Sequence, residues 1–239
     1  MNSIGFCSLL TTGNPKIAKS NASNKGYLSC IQHLAPSRVS GYNVCPNASS
    51  GCIAACLNTA GHGVYKPVQD IRIARTRYFI EHRDKYLALL TAEIEKFIRK
   101  CKKLKLKPAV RLNGTSDIPW EKMVPQLFTL YPSVQFYDYT KITNRMLRWC
   151  AGQLPANYHL TFSRSEINET NCHKILQAGG NVAVVFKGKQ PNKWNNVRVF
   201  NGDNTDQRFL DPQGVIVGLK AKGRARRDMS GFVIHTGKV

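Results

Sequence analysis

Long apolar runs are absent from this chain, and so is any large supply of negative charge. No stretch reaches the roughly 18 apolar residues of a membrane-spanning helix, so no span is expected. The start, MNSIGFCSLLTTGNP, has no basic head and only a short apolar piece, which makes it a poor secretory leader. Acidic residues number 14 against 35 Lys and Arg, a formal net charge of +21. A chain so short of carboxylates is drawn to polyanions such as nucleic acid, or to an acidic membrane face. Also missing are an internal repeat, a helix-turn-helix and an RRM signature, so sequence-specific reading of bases is not expected. Gly and Pro stay near ordinary levels, which argues against a disordered chain. The expected partner is therefore nucleic acid and not a membrane, and the expected compartment is a reducing cytoplasm. There the eight cysteines are free thiols or metal ligands and not disulfides.

What is present suffices for a core: 42% of the 239 residues are hydrophobic, an ordinary globular share. Residues 11–25 are small, polar and basic, so 1–26 read as an N-terminal arm ahead of a single α/β domain over 27–239. Residues 27–33 form a first strand. Over 68–104 the pattern is helical, with Leu87, Leu90, Ile94, Phe97 and Cys101 recurring every three or four positions. Strands are expected at 109–112, 134–139, 158–162 and 182–186, alternating with helices at 120–130, 144–152 and 166–177. Such alternation implies βαβ units and a parallel sheet, open or closed as a barrel. Residues 187–196 read as a loop. Short strands at 197–200, 215–219 and 232–235 make a β-rich C-terminal edge.

The segment CPNASSGCIAAC places Cys45, Cys52 and Cys56 at C-x6-C-x3-C. Its Pro, Asn, Ser and Gly residues form a loop able to wrap a metal. Cys52 and Cys56 fall at i and i+4, on one face of a helical turn. Three thiolates suit a soft centre, either zinc or an iron–sulfur cluster with one iron left open. His62 would complete a Cys3His zinc set. Merely buried thiols are the plainer alternative, but three cysteines in one turn-rich loop argue against it. Cys7, Cys30, Cys101, Cys150 and Cys172 read as single buried cysteines, with Cys172 and His173 the pair to watch for a fourth ligand.

Other constellations surround this loop in the expected topology. Asn113-Gly114-Thr115-Ser116-Asp117 follows a strand at the sheet edge where parallel α/β folds bind ligands. Asn113, Gly114, Ser116 and Asp117 are therefore cofactor-binding candidates, or a turn whose Ser116 or Asp117 caps the next helix. Ser163 and Arg164 end a strand at the same edge and would hold a carboxylate. Asp203, Asp206 and Asp211 match no calcium loop and read as turn formers. Lys220, Lys222, Arg224, Arg226 and Arg227 form a nucleic-acid candidate: if extended, the first four point to one side as a basic ridge. Arg99, Lys100, Lys102, Lys103 and Lys105 make a second basic cluster.

The loop CPNASSGCIAAC, the segment GNPKIAKS and the run LDPQGVIVGLKAKG resemble the phage family called gene product eighty-eight, over nearly the whole chain. A phage protein would work in the host cell cytoplasm. That family is in turn similar to radical S-adenosylmethionine enzymes, whose three-cysteine loop after the first strand of a partial (β/α)6 barrel holds a 4Fe-4S cluster. The resemblance implies that Cys45, Cys52 and Cys56 each bind one iron and that the open iron binds S-adenosylmethionine. Their spacing departs from the usual C-x3-C-x2-C of those enzymes. Two functions are thus expected in competition. One is radical chemistry on a nucleic acid or nucleotide; the other is non-enzymatic nucleic-acid binding with a structural zinc or cluster.

Overall fold

Alternation along the strands decides which side of the sheet each residue serves. The structure, a computed structural model, describes residues 5–23 and 26–237. It begins with β1 (Leu10–Thr11), α1 (Pro15–Ala22) and β2 (Tyr27–Gln32). The cysteine loop follows, with the short α2 (Ser50–Ala54) and two single-turn 3-10 segments, Leu57–Thr59 and Gly61–Val64. Next come α3 (Lys66–Glu81), α4 (Arg83–Lys103) and β3 (Lys107–Arg111). The chain continues through α5 (Trp120–Met123), α6 (Gln126–Leu130), β4 (Gln135–Thr140), α7 (Thr143–Cys150) and β5 (Tyr158–Ser163). It ends with α8 (Glu169–Gln177), β6 (Val182–Lys187), β7 (Lys193–Trp194), β8 (Val197–Asn201), β9 (Ile216–Lys220) and β10 (Val233–His235).

These strands form one mixed sheet in the order β1-β2-β3-β4-β5-β6-β9-β8-β7, with β10 added beside β6. Pairing is antiparallel at β1–β2 and β7–β8 and parallel elsewhere. The sheet stays open, so the open form of the expected α/β fold holds and no closed barrel is made. Cys30 lies opposite Val110, and Val110 opposite Phe136. That register puts Leu28, Cys30, Val110, Phe136, Leu160, Phe162 and Val184 in one apolar core with the helices. Tyr86, Leu90, Ile94 and Phe97 of α4 project into it. Each such side chain contributes about 1.5–3 kcal/mol by leaving water.

Two helical expectations break at identifiable points. The single helix expected over 68–104 is α3 and α4, separated by the non-helical His82 (φ −133°, ψ 52°). In one straight helix, residues 79 and 86 would stand roughly 10 Å apart along the axis. The break lets the Phe79 and Tyr86 rings meet at 5.0 Å. The helix expected over 120–130 is two short ones, because Pro125 has no N–H to continue the first.

The opposite face of the sheet is polar and covered. Asp206 lies between Arg111, 3.1 Å away, and Lys16, 3.5 Å away, and accepts from the Tyr137 hydroxyl at 3.3 Å. Phe209 stacks edge-on against Tyr27 and Tyr137, and the Arg208–Asp211 ion pair is buried at 3.0 Å. Burial alone would raise the Asp206 carboxyl, but Arg111, Lys16 and Arg208 hold it at about 2. The stretch expected as an arm takes part in this cover over its described residues. Asn14 caps α1 by accepting from the Lys16 amide at 2.9 Å, with Pro15 in the first turn. Ile17 and Ser20 are buried, and the Ser20 hydroxyl accepts from the Asp206 amide at 2.6 Å. Residues 1–4 and 24–25 of the expected arm lie outside the described residues.

Candidate functional site at the carboxyl edge of the sheet

Parallel strands bring every following loop to one edge. Cys45 follows β2, Thr115 follows β3, Lys141 follows β4, Arg164 follows β5, and the turn Gly223–Arg227 follows β9. The cysteine loop is held there by named contacts. The Cys45 thiol accepts from the Ser37 amide at 3.3 Å and faces the Thr115 carbonyl at 3.5 Å. The Ser49 hydroxyl caps α2 by accepting from the Cys52 amide at 3.2 Å. Glu166, from the loop before α8, accepts from the Ser49 hydroxyl and the Gly51 amide, each at 2.8 Å. Gly51 lets these side chains approach, because a Cβ there would displace Ser230 and Glu166. On the far side, the Cys56 thiol accepts from the Asn58 amide at 3.5 Å, and Arg72 of α3 donates to the Asn58 side chain.

Two of the three thiols, Cys45 and Cys56, are shifted by burial and by their neighbours. Burial pushes Cys45 up to about 12 against the Ser37 amide, and Cys56, Asp117 and Cys52 raise it further. Burial also raises Cys56, against the Asn58 amide and the Arg72 and Lys141 charges. A thiol raised in this way is a poor nucleophile. Among the described residues, no three His, Cys, Asp or Glu side chains stand close enough to hold one metal ion. The tight Cys3His zinc set expected with His62 is therefore not assembled. A cluster makes a looser demand, since each thiolate binds a different iron.

The expected cofactor residues reach the same edge, but most are engaged. Asn113 accepts from Ser116, Ile118 and Trp120 and donates to Asp138 at 3.1 Å. Gly114 runs so close to Gln32 and His33 that a Cβ would strike the Gln32 carbonyl. Asp117 pairs with Arg145 at 3.1 Å and accepts from the Lys141 amide at 2.7 Å. Arg164 pairs with Glu169 at 2.9 Å and donates to the carbonyls of Gly231 and Phe232. Ser163 accepts from the Lys141 ammonium at 2.6 Å. Lys141, with Arg72 and Glu166, is what sequence reading missed. Its signal was its place directly after a strand.

The basic ridge is corrected. Residues 220–227 are not one extended run: Lys220 ends β9, Lys222 pairs with Asp203 at 3.3 Å, and Gly223–Arg227 coils into a 3-10 turn. Ala221 and Ala225, four residues apart, both bury against Ala55, Phe232 and Val233, which pulls the segment round. Arg224, Arg226 and Arg227 end up exposed beside the cysteine loop, with the Arg224 amide donating to the Thr59 hydroxyl at 3.2 Å.

The family profile named Gene product 88 matches residues 8–236. The chain belongs to this phage family, gene product 88. Comparison with curated proteins and with solved structures found no match. In this family member no helix among the described residues is long and apolar enough to cross a membrane.

Proposed function

We propose that Cys45, Cys52 and Cys56 hold a 4Fe-4S cluster, with S-adenosylmethionine as its cofactor partner and a nucleic acid or nucleotide as substrate class. The observation that carries this reading is the position of three half-buried cysteines on one loop at the carboxyl edge, two of their thiols accepting backbone amides. Amide donors to sulfur are the outer contacts that stabilise and tune iron–sulfur centres. Bound there, the cluster would supply one electron for reductive cleavage of S-adenosylmethionine, starting hydrogen abstraction. The chain's own residues position and neutralise. Glu166 fixes the turn that carries Cys52, and Arg72 fixes the turn that follows Cys56. The charges of Arg72 and Lys141 favour the thiolate form of Cys56. Lys141 uses one ammonium proton on Ser163, so it keeps donors for a carboxylate.

A second reading has its own support. Asn113, Asp117 and Arg164 are committed to internal bonds, which suits a metal loop that serves only folding, in a basic nucleic-acid-binding protein. Anaerobic reconstitution with iron and sulfide separates the two. The first reading expects the broad visible absorbance of iron–sulfur bonds, bleached by dithionite, and a cluster spectrum that changes when S-adenosylmethionine is added. A cluster indifferent to S-adenosylmethionine, or bound zinc alone, leaves the second reading standing.

A further inference from the structure

The carboxyl-edge loops are unusually bare of free carboxylate. The first acidic residue of the whole chain is Asp70, so the entire cysteine loop contains none. The acids that other loops bring to this edge are consumed internally. Asp117 is bound to Arg145, Glu166 grips Ser49 and Gly51, and Asp228 accepts from Ser230 at 2.7 Å and from the Val233 amide at 3.0 Å. Arg224, Arg226 and Arg227 stay exposed on a turn seated against Thr59.

The same surface exposes apolar side chains. Leu57 is 55% accessible, Tyr65 59% and Met229 85%. They stand on the turns that carry Cys56, start α3 and follow the arginine turn. Met229 directly precedes Ser230, whose hydroxyl lies against Gly51 of the cysteine loop. Uncompensated cations beside uncovered apolar surface ask for a ligand that is polyanionic and has flat apolar faces.

We infer that this face binds single-stranded nucleic acid, with phosphates on Arg224, Arg226 and Arg227 and unstacked bases on Leu57, Tyr65 and Met229. The inference names the substrate form for the thiol site proposed above and rests on that site lying at this edge. Three chemical arguments select the occupant. A duplex hides its base faces, so it would leave the apolar residues uncovered. Protein interfaces deplete charge at their centres, whereas nucleic-acid interfaces are strongly positive. Bases of any identity offer a face for stacking, which agrees with the lack of a base-reading motif.

The test uses the full chain, both as isolated without cluster and after anaerobic reconstitution. Binding is followed by fluorescence anisotropy with labelled single strands of DNA and RNA of about 20 nucleotides. Duplex DNA, polyglutamate and phosphatidylserine vesicles are competitors. R224E/R226E/R227E is expected to weaken strand binding more than about tenfold and to flatten the log–log salt slope by about 2. K100E/K102E/K103E changes the charge equally at the opposite edge and is expected to have a much smaller effect. L57S/Y65S/M229S is expected to cost about fivefold or more without changing the salt slope.

Photocrosslinking of wild-type protein supplies a readout that does not depend on any variant folding. Crosslinks within residues 57–65 and 224–229 support the inference. Crosslinks confined to 99–105 overturn it. Equal loss in both charge variants, competition by polyglutamate or vesicles as strong as by strand, a preference for duplex, or no binding at low salt would each overturn it too. Strand binding at this face by a protein that takes up no iron refutes the cluster alone. A reconstituted cluster without strand binding refutes only this inference.

Discussion

At the scale of single residues, Cys45 carries the sharpest chemical consequence. Its thiol is pushed up to about 12 by burial, so at pH 8 it is held protonated. In metal-free protein, iodoacetamide at pH 8 is expected to label the exposed Cys7 well before Cys45 or Cys56, as peptide mass spectrometry will show. Equal labelling rates would contradict the half-buried, protonated state. Metal uptake must then release protons, so it should become more favourable as pH rises. Glu166 gives a second residue-scale test. E166A removes the acceptor for Ser49 and Gly51. Amide exchange across residues 49–56 should quicken, with a global stability loss of only about 1 kcal/mol. Unchanged exchange there would show that Glu166 does not hold the loop.

Among elements, α4 was legible and α1 was not. The apolar stripe through Leu90, Ile94 and Phe97 marks a buried helix face in the sequence, and all three are buried in the core. I94A is expected to cost about 2–5 kcal/mol in urea unfolding, as cavities of that size do. The four expected strands at 109–112, 134–139, 158–162 and 182–186 appear in parallel pairing for the same reason: each is a short apolar run bounded by turns. By contrast, α1 buries only Ile17 and Ser20, too few for a visible periodicity. Its one local signal is the Asn14-Pro15 start, and N14A is expected to lose about 1 kcal/mol of stability. The break at His82 carries no Pro or Gly, so only the tertiary demand on Phe79 and Tyr86 explains it. The arginine turn was hidden for a similar reason, since two alanines seldom announce a buried anchor. The cysteines were legible because their spacing is local. Lys141, Arg72 and Glu166 reach them only through the fold.

Over the whole molecule, buried titratable groups set how stability follows pH. Burial, with Arg72 and Arg111 nearby, lowers His33 to about 3, and burial lowers His159 to about 4. Below about pH 6.5 the unfolded chain therefore binds two protons that the folded chain refuses, and stability falls as pH falls. Asp138 works the other way. Burial raises it to about 7 despite Arg145 and the bonds from Tyr158 and Asn113. Between about pH 4 and 7 the folded chain keeps that proton, and stability falls as pH rises. Two histidines outweigh one carboxyl, so these three groups make stability rise from about pH 4 to 6.5. Urea unfolding across that window should show the rise flattened in H33Q and steepened in D138N; the opposite order would contradict the assignment.

The central claim is that the three-cysteine loop is an iron–sulfur ligand set. Iron and acid-labile sulfide content of protein purified without oxygen tests it most directly. The account predicts about four of each per chain, sharply reduced in C45A, C52A and C56A and retained in C150A. Protein that carries no iron, or one zinc unaffected by those three substitutions, would contradict it.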